Sequence, residues 1–164
     1  MTYQDLMEAI AAEISDQFPD RMIYRDFCPT AHQRPSFFLY VTNAAFSDAA
    51  IGLVQWEFEA ELTLFAAKDE YDMESTEVLR MDQLAVMNLF GGPSLKVNDR
   101  SVPLTVSAPS PGAGEAYVIF TAKWIDQRPG YVERDPNTEN MEQFVVNMNG
   151  KEGCICQPQM DCLP

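Results

Sequence analysis

The chain has 164 residues, of which 46% are hydrophobic, and it carries a formal net charge of −14 with a pI near 4.2. This length and apolar content predict a single globular domain with a substantial core. So acidic a surface argues against binding to nucleic-acid phosphates or anionic membranes, which both attract Lys and Arg. The sequence has no apolar run long enough to span a membrane and no signal-peptide pattern, so we expect a cytosolic protein.

Apolar residues at helical spacing predict an amphipathic helix over residues 3–18, and Thr2 with Asp5 forms a capping box at its start. Pro19 ends the helix. The next segments are two short strands and a turn of small residues, at 21–27, 37–42 and 43–52.

The most regular segment covers residues 53–66 and alternates with a period of two, which predicts a long, half-buried antiparallel strand. One face is apolar and should contribute to the core; it carries Trp56, Phe58, Leu62 and Leu64. The other face carries three carboxylates in a row, those of Glu57, Glu59 and Glu61. Because like charges repel, this face is either simply solvated or part of a surface that needs to be negative.

A second amphipathic helix is predicted over residues 75–90, and its inner face is expected to carry Val78, Met81, Leu84, Ala85 and Asn88 or Leu89. A strand pair, an exposed loop rich in Pro and Gly, and a last long strand follow, at 95–106, 108–114 and 115–127. Beyond them the composition is polar and without period. We therefore divide the chain into a domain over 1–128 and a C-terminal arm over 129–164, which we expect to order against a partner.

The cysteines and the single histidine form no known motif. Three of the four cysteines lie in the last eleven residues and none is in a Cys-x-x-Cys pair, so their spacing does not predict a zinc site. We expect free thiols in a reducing compartment. Cys28 and His32 are the only nucleophile and base that lie close together, but no motif surrounds them. The sequence thus predicts no catalytic, cofactor-binding or metal-binding residue.

The order of these elements predicts an α+β fold, with a mostly antiparallel sheet and two main helices packed on one face. Two helices cannot cover both faces of such a sheet. The other face is then left to solvent or to a neighbouring molecule, and the three glutamates would lie on it.

This element order, the length and the acidic balance resemble the tail-terminator proteins of long-tailed bacteriophages. The resemblance covers roughly residues 1–149 and is carried by four stretches, Thr-Tyr-Gln-Asp-Leu (2–6), Phe-Phe-Leu-Tyr-Val (37–41), Trp-Glu-Phe-Glu (56–59) and Trp-Ile-Asp-Gln-Arg (124–128). The segment after residue 150 departs from the family pattern.

The resemblance implies a structural virion protein without cofactors rather than an enzyme. Such a protein forms a hexameric ring that caps the tail tube, ends tube polymerisation and joins the tail to the head–tail connector in the neck. The implied partners are further copies of the chain, the tail tube protein and the connector. DNA would pass through the channel without specific binding, no membrane would take part, and assembly would occur in the cytoplasm of the bacterial host.

Two other classes of function stay open. A metal-dependent nuclease could use Glu57, Glu59 and Glu61 to hold Mg²⁺, although no lysine follows an acid at a suitable spacing and no basic surface is evident. An acidic DNA mimic would agree with the net charge, but the aromatic content and core pattern are equally those of an ordinary domain. If the ring is correct, the glutamates either line its channel or pair with cations of the next subunit, such as Arg21, Arg25 or Lys123.

Overall fold

A computed structural model describes residues 1–68, 70, 74–112, 114–132, 145–148 and 151–154. The chain divides into two compact units, Met1–Pro129 and Gly130–Pro164. Two helices and seven strands form the first unit: α1 (Tyr3–Gln17), β1 (Met22–Arg25), β2 (Ser36–Ala50), β3 (Leu53–Phe65), α2 (Thr76–Leu89), β4 (Leu95–Val97), β5 (Arg100–Val102), β6 (Leu104–Ser107) and β7 (Glu115–Gln127). The second unit contains an antiparallel pair, β8 (Val145–Met148) and β9 (Lys151–Cys154). The rest of the predicted arm, with Cys156 and Cys162, lies outside the described residues.

The main sheet has five strands in the order β1-β2-β3-β7-β6. Only the β1–β2 pair is parallel, and the other pairs are antiparallel. β4 and β5 form a separate hairpin with its turn at Asn98-Asp99. The fold is therefore α+β, with a mostly antiparallel sheet and two helices, as the element order predicts.

β3 is the central strand, and its even-numbered side chains face the helices. Phe58, Leu62 and Leu64 are fully buried in the core cluster, and the half-buried Trp56 packs against that cluster. Trp56 also stacks on Trp124 of β7, with ring centroids 5.9 Å apart. The odd-numbered side chains of β3, including the three glutamates, lie on the opposite face.

The prediction of a turn over residues 43–52 is wrong. β2 continues to Ala50, and the turn is reduced to Ile51 and Gly52. The reason is the length of β3: its backbone groups need partners along the whole strand, and β2 supplies them from Ser36 to Ala50. Two register shifts, at Val41/Asn43 and Asp48/Ala50, interrupt this pairing.

α1 has the predicted position and orientation. The Thr2 hydroxyl accepts a hydrogen bond from the Asp5 amide (3.2 Å), and the Asp5 carboxylate accepts one from the Thr2 amide (2.7 Å), so the capping box is complete. The buried side of the helix is apolar throughout. It consists of Leu6, Met7, Ile10, Ala11 and Ile14.

α2 has the predicted bounds, but the predicted inner face is wrong for three of its residues, whereas Ala85 and Leu89 are half-buried and Leu89 packs against the core. Its buried residues are Leu79, Asp82, Gln83 and Val86. The apolar residues that were expected to pack inward, Val78, Met81 and Leu84, are 43%, 65% and 59% exposed.

Two buried polar side chains explain this orientation of α2. The Asp82 carboxylate accepts two hydrogen bonds from the Arg21 guanidinium, at 2.7 and 3.0 Å. Gln83 Nε2 donates to the carbonyl oxygens of Pro109 (2.9 Å) and Tyr117 (2.8 Å). Because the Asp82 carboxylate and the Gln83 amide nitrogen have hydrogen-bond partners, these two side chains can lie in the protein interior beside Leu79 and Val86.

Candidate assembly surface

The outer face of the sheet, opposite α1 and α2, carries the predicted acidic row. Each of the three glutamates on β3 has a partner on a neighbouring strand. Glu57 accepts from Lys123 on β7 (2.5 Å), whereas Thr42 and Tyr40 on β2 donate to Glu59 (2.9 Å) and Glu61 (2.5 Å). These bonds hold the carboxylates in fixed positions across the sheet.

Hydrogen bonds shift the pKa values of three groups on this face. The hydrogen bond and charge of Lys123 lower the pKa of Glu57. The hydrogen bond to Glu61 raises the pKa of Tyr40 to about 12, so this hydroxyl stays protonated and donates. Tyr117 on β7 is in the same situation, because its hydrogen bond to Glu115 (2.7 Å) raises its pKa to about 12. The outer face of β3 and β7 thus carries the carboxylates of these glutamates against the single ammonium of Lys123.

Two of the three cations considered as partners from a neighbouring subunit are already engaged within the chain. Lys123 binds Glu57, and Arg21 binds Asp82 on the other side of the sheet. Arg25 lies on the edge strand β1. The glutamate row is therefore held by partners within its own chain, which favours a role as an exposed negative surface over a role in pairing subunits.

A cleft of about 670 Å³ lies at one end of this outer face, where the loop over residues 28–35 covers part of β3. The His32 ring contacts Phe65 with ring centroids 4.2 Å apart, and His32 Nδ1 lies 3.3 Å from the Pro29 carbonyl oxygen. The Cys28 thiol also points at the Pro29 carbonyl, at 3.9 Å, and burial raises its pKa. The raised pKa disfavours the Cys28 thiolate, which is the nucleophilic form of a cysteine.

The edges of the sheet are the feature that the sequence pattern missed. β1 pairs with β2 only from Ser36 to Leu39, so the rest of β2 has no strand on that side among the described residues. On the opposite side, β6 pairs with β7 only from Ile119 to Ala122, which leaves the end of β7 without a strand partner in the described sheet. Half of the three-stranded ribbon β2–β3–β7 thus has no paired strand at either edge in the described sheet, although the Met1 amino group and Arg100 of β5 both bind Asp126 near the end of β7.

The free edge of β2 lacks two of the usual protections, proline and lysine, although the register shifts in it are a protection of another kind. Residues 41–50 contain no proline and no lysine, the residues that most often block pairing with another chain. A register shift lies at each end of this segment and adds twist. The signal that could have identified this edge is the run of small, uncharged residues, which we assigned to a turn.

Comparison with protein families and with curated proteins found no relative of this chain. No protein-family model matches the chain, and no curated protein matches it. No helix in the described part of the chain is long and apolar enough to cross a membrane. Within the same residues, no group of three or more His, Cys, Asp or Glu side chains is arranged to hold a metal ion.

Proposed function

We propose that this chain is a structural virion protein of the tail-terminator type. In this proposal, copies of the chain form a hexameric ring that caps the tail tube of a long-tailed phage, ends tube polymerisation and joins the tail to the head–tail connector. The observation that carries the proposal is the pair of open edges on opposite sides of the ribbon β2–β3–β7. An open strand edge is a liability in a monomer and a joint in an assembly.

The position of the two edges favours a ring over a dimer. One open edge belongs to β2 and the other to β7, so they are different surfaces. A contact between two different surfaces is head-to-tail, and repetition of such a contact closes into a ring when the rotation allows it. A symmetric dimer would use only one of the edges twice and would leave the other exposed.

The acidic outer face agrees with a DNA conduit. Glu57, Glu59 and Glu61 are held across the sheet by hydrogen bonds within their own chain. A channel lined by carboxylates repels phosphate, so DNA passes without being bound. We propose that at least two of these glutamates face the channel or its rim. The tail tube protein and the connector are the proposed partners, the C-terminal arm is proposed to order on one of them, and assembly is proposed to occur in the host cytoplasm.

The decisive experiment follows tube growth and ring formation together. The full chain is added to polymerising tail tube protein of the same virion, and the products are imaged by electron microscopy. We expect sixfold rings at one end of tubes whose elongation has stopped. A chain that stays monomeric in the mature particle, or a ring of another symmetry at the tube end, contradicts the proposal. A DNA mimic would remain small and single in the same experiment.

Charge removal distinguishes a channel from an interface. The variant Glu57→Gln/Glu59→Gln/Glu61→Gln should still form rings at all salt concentrations and should slow or trap DNA passage. The control variant, Glu8→Gln/Glu13→Gln/Asp16→Asn, makes the same change in net charge on the exposed side of α1. Loss of rings at low salt in the first variant alone would mean that the glutamates join subunits instead.

A further inference from the structure

Large apolar side chains are exposed close together in two separate places on this unit, and Met22, Phe27 and Ile125 are exposed elsewhere, each beside a charged residue. The first is the side of α2 that faces away from the sheet, where Val78, Met81 and Leu84 follow one another at intervals of three residues over about 9 Å of helix. We call these residues the α2 stripe. The buried side of α2 carries Asp82 and Gln83 beside Leu79 and Val86, so large apolar residues lie on both sides of the helix.

The second place is the end of the β2–β3 hairpin, which projects beyond the short edge strands. Phe46 and Ile51 are 51% and 87% exposed there, and we call these residues the hairpin tip. Leu53, which is 43% exposed, lies beside them on the outer face of the sheet. Phe46 packs against the ring of Trp56, with centroids 5.0 Å apart, so it is held in place although half of it is open to solvent. Ala49 and Ala50 are also exposed and keep the tip narrow.

Both surfaces are nearly free of net charge. Over residues 43–53 the only charged side chain is that of Asp48, and Arg128 binds its carboxylate at 2.7 Å. The α2 stripe is bordered by one acid, Glu77, and one base, Arg80. Copies of a chain with a net charge of −14 repel one another over most of their surfaces. A contact between copies is therefore favoured on neutral apolar surfaces such as these two.

We propose that the hairpin tip of one copy docks on the α2 stripe of the next copy. This inference rests on the proposed ring and names the surfaces that build it. Each chain carries one tip and one stripe at different positions, so the contact is head-to-tail and each copy uses both surfaces once. The tip adds side-chain burial to the backbone pairing that the open edge of β2 provides. Burial of aromatic and large aliphatic side chains at the centre of a contact gives most of the binding energy.

The test uses the full chain with two variants that each destroy one surface. The tip variant is Phe46→Ser/Ile51→Ser, and the stripe variant is Met81→Gln/Leu84→Gln, which keeps good helix formers in α2. Sedimentation velocity and native mass spectrometry measure assembly over a concentration series. We expect each variant alone to need a concentration higher by about tenfold or more for ring formation. The control variant, Glu77→Gln/Arg80→Gln, changes exposed positions of α2 beside the stripe and should assemble as the wild type does.

Mixing the two variants gives the result that only a head-to-tail contact predicts. A stripe variant retains an intact tip, and a tip variant retains an intact stripe, so the mixture should form one-to-one dimers but no rings. These dimers also show that both variants are folded. If the stripe variant forms rings at wild-type concentrations, the inference is wrong although the ring proposal stands. If the wild-type chain itself forms no ring, with or without tail tube protein, the proposed function fails and this inference fails with it.

Discussion

The two helices lie on the same face of the sheet but bury different kinds of surface. α1 buries only apolar residues, and its exposed side carries Glu8, Glu13 and Asp16. α2 buries Asp82 and Gln83 and exposes three large apolar residues. The difference shows that the apolar stripe of a helix marks the side that needs to be covered, but not which molecule covers it. In α1 the cover is the chain's own sheet, whereas in α2 we propose that it is a second copy.

The largest expected difference between the helices is the loss of unfolding free energy when one large apolar side chain of each helix is replaced by alanine. Ile10→Ala in α1 removes a fully buried side chain and should lower the free energy of unfolding by roughly 2–5 kcal/mol. Leu84→Ala in α2 removes a side chain that is 59% exposed and should change it by less than about 0.5 kcal/mol. Urea unfolding at a concentration where the chain is monomeric measures both. Equal losses would mean that α2 faces the core with its apolar side after all.

The next effect concerns the ion pair that holds α2 in its orientation. Asp82→Ala leaves the Arg21 guanidinium without its carboxylate in a partly buried place and should lower the free energy of unfolding by roughly 3 kcal/mol. Glu77→Ala, on the exposed side of the same helix, is the matched control and should have almost no effect. Thermal unfolding in low and high salt checks this prediction. If the two variants unfolded at the same temperature, the ion pair would not determine the orientation of α2.

A smaller loss is expected at the neighbouring buried amide. Gln83→Ala removes the donor to the carbonyl oxygens of Pro109 and Tyr117, and should cost about 1–2 kcal/mol because two carbonyls lose their partner. Asn88→Ala, at an exposed position of α2, serves as the control. Hydrogen exchange of α2, measured with the same samples, should increase only in the Gln83 variant. Unchanged exchange and stability would indicate that other donors reach these carbonyls.

The smallest effects are expected at the two helix N-termini, and only one of them depends on pH. The hydrogen bonds between Thr2 and Asp5 lower the Asp5 pKa from its usual 3.8, so their contribution is present above pH 3.8 and is lost as the pH falls below it. α2 is capped by the uncharged Ser75, whose hydroxyl accepts from the Val78 amide at 3.4 Å. Ser75→Ala should therefore cost about 0.5–1 kcal/mol at every pH. Acid titration of thermal unfolding checks both caps; Asp5→Asn should flatten the curve, and an unchanged curve would contradict the assignment.

Local patterns determined much of this fold. The period of two over residues 53–66 separates the buried Phe58, Leu62 and Leu64 from the glutamate face before any partner strand is known. The capping box, Pro19 and the apolar spacing likewise define α1, because each of these signals acts within a few residues of the chain. The bounds of α2 and the hairpin turn at Asn98-Asp99 are local for the same reason.

Only the tertiary structure decided the orientation of α2, the length of β2 and the open edges. Asp82 and Gln83 face inward because Arg21, Pro109 and Tyr117 come from distant parts of the chain to bind them. Residues 43–50 form a strand because β3 lies beside them, and their own composition favours a turn. Which edge stays open depends on how far β1 and β6 extend along their neighbours. These features all arise from pairing between distant segments, and hydrophobic periodicity within one segment carries no information about such partners.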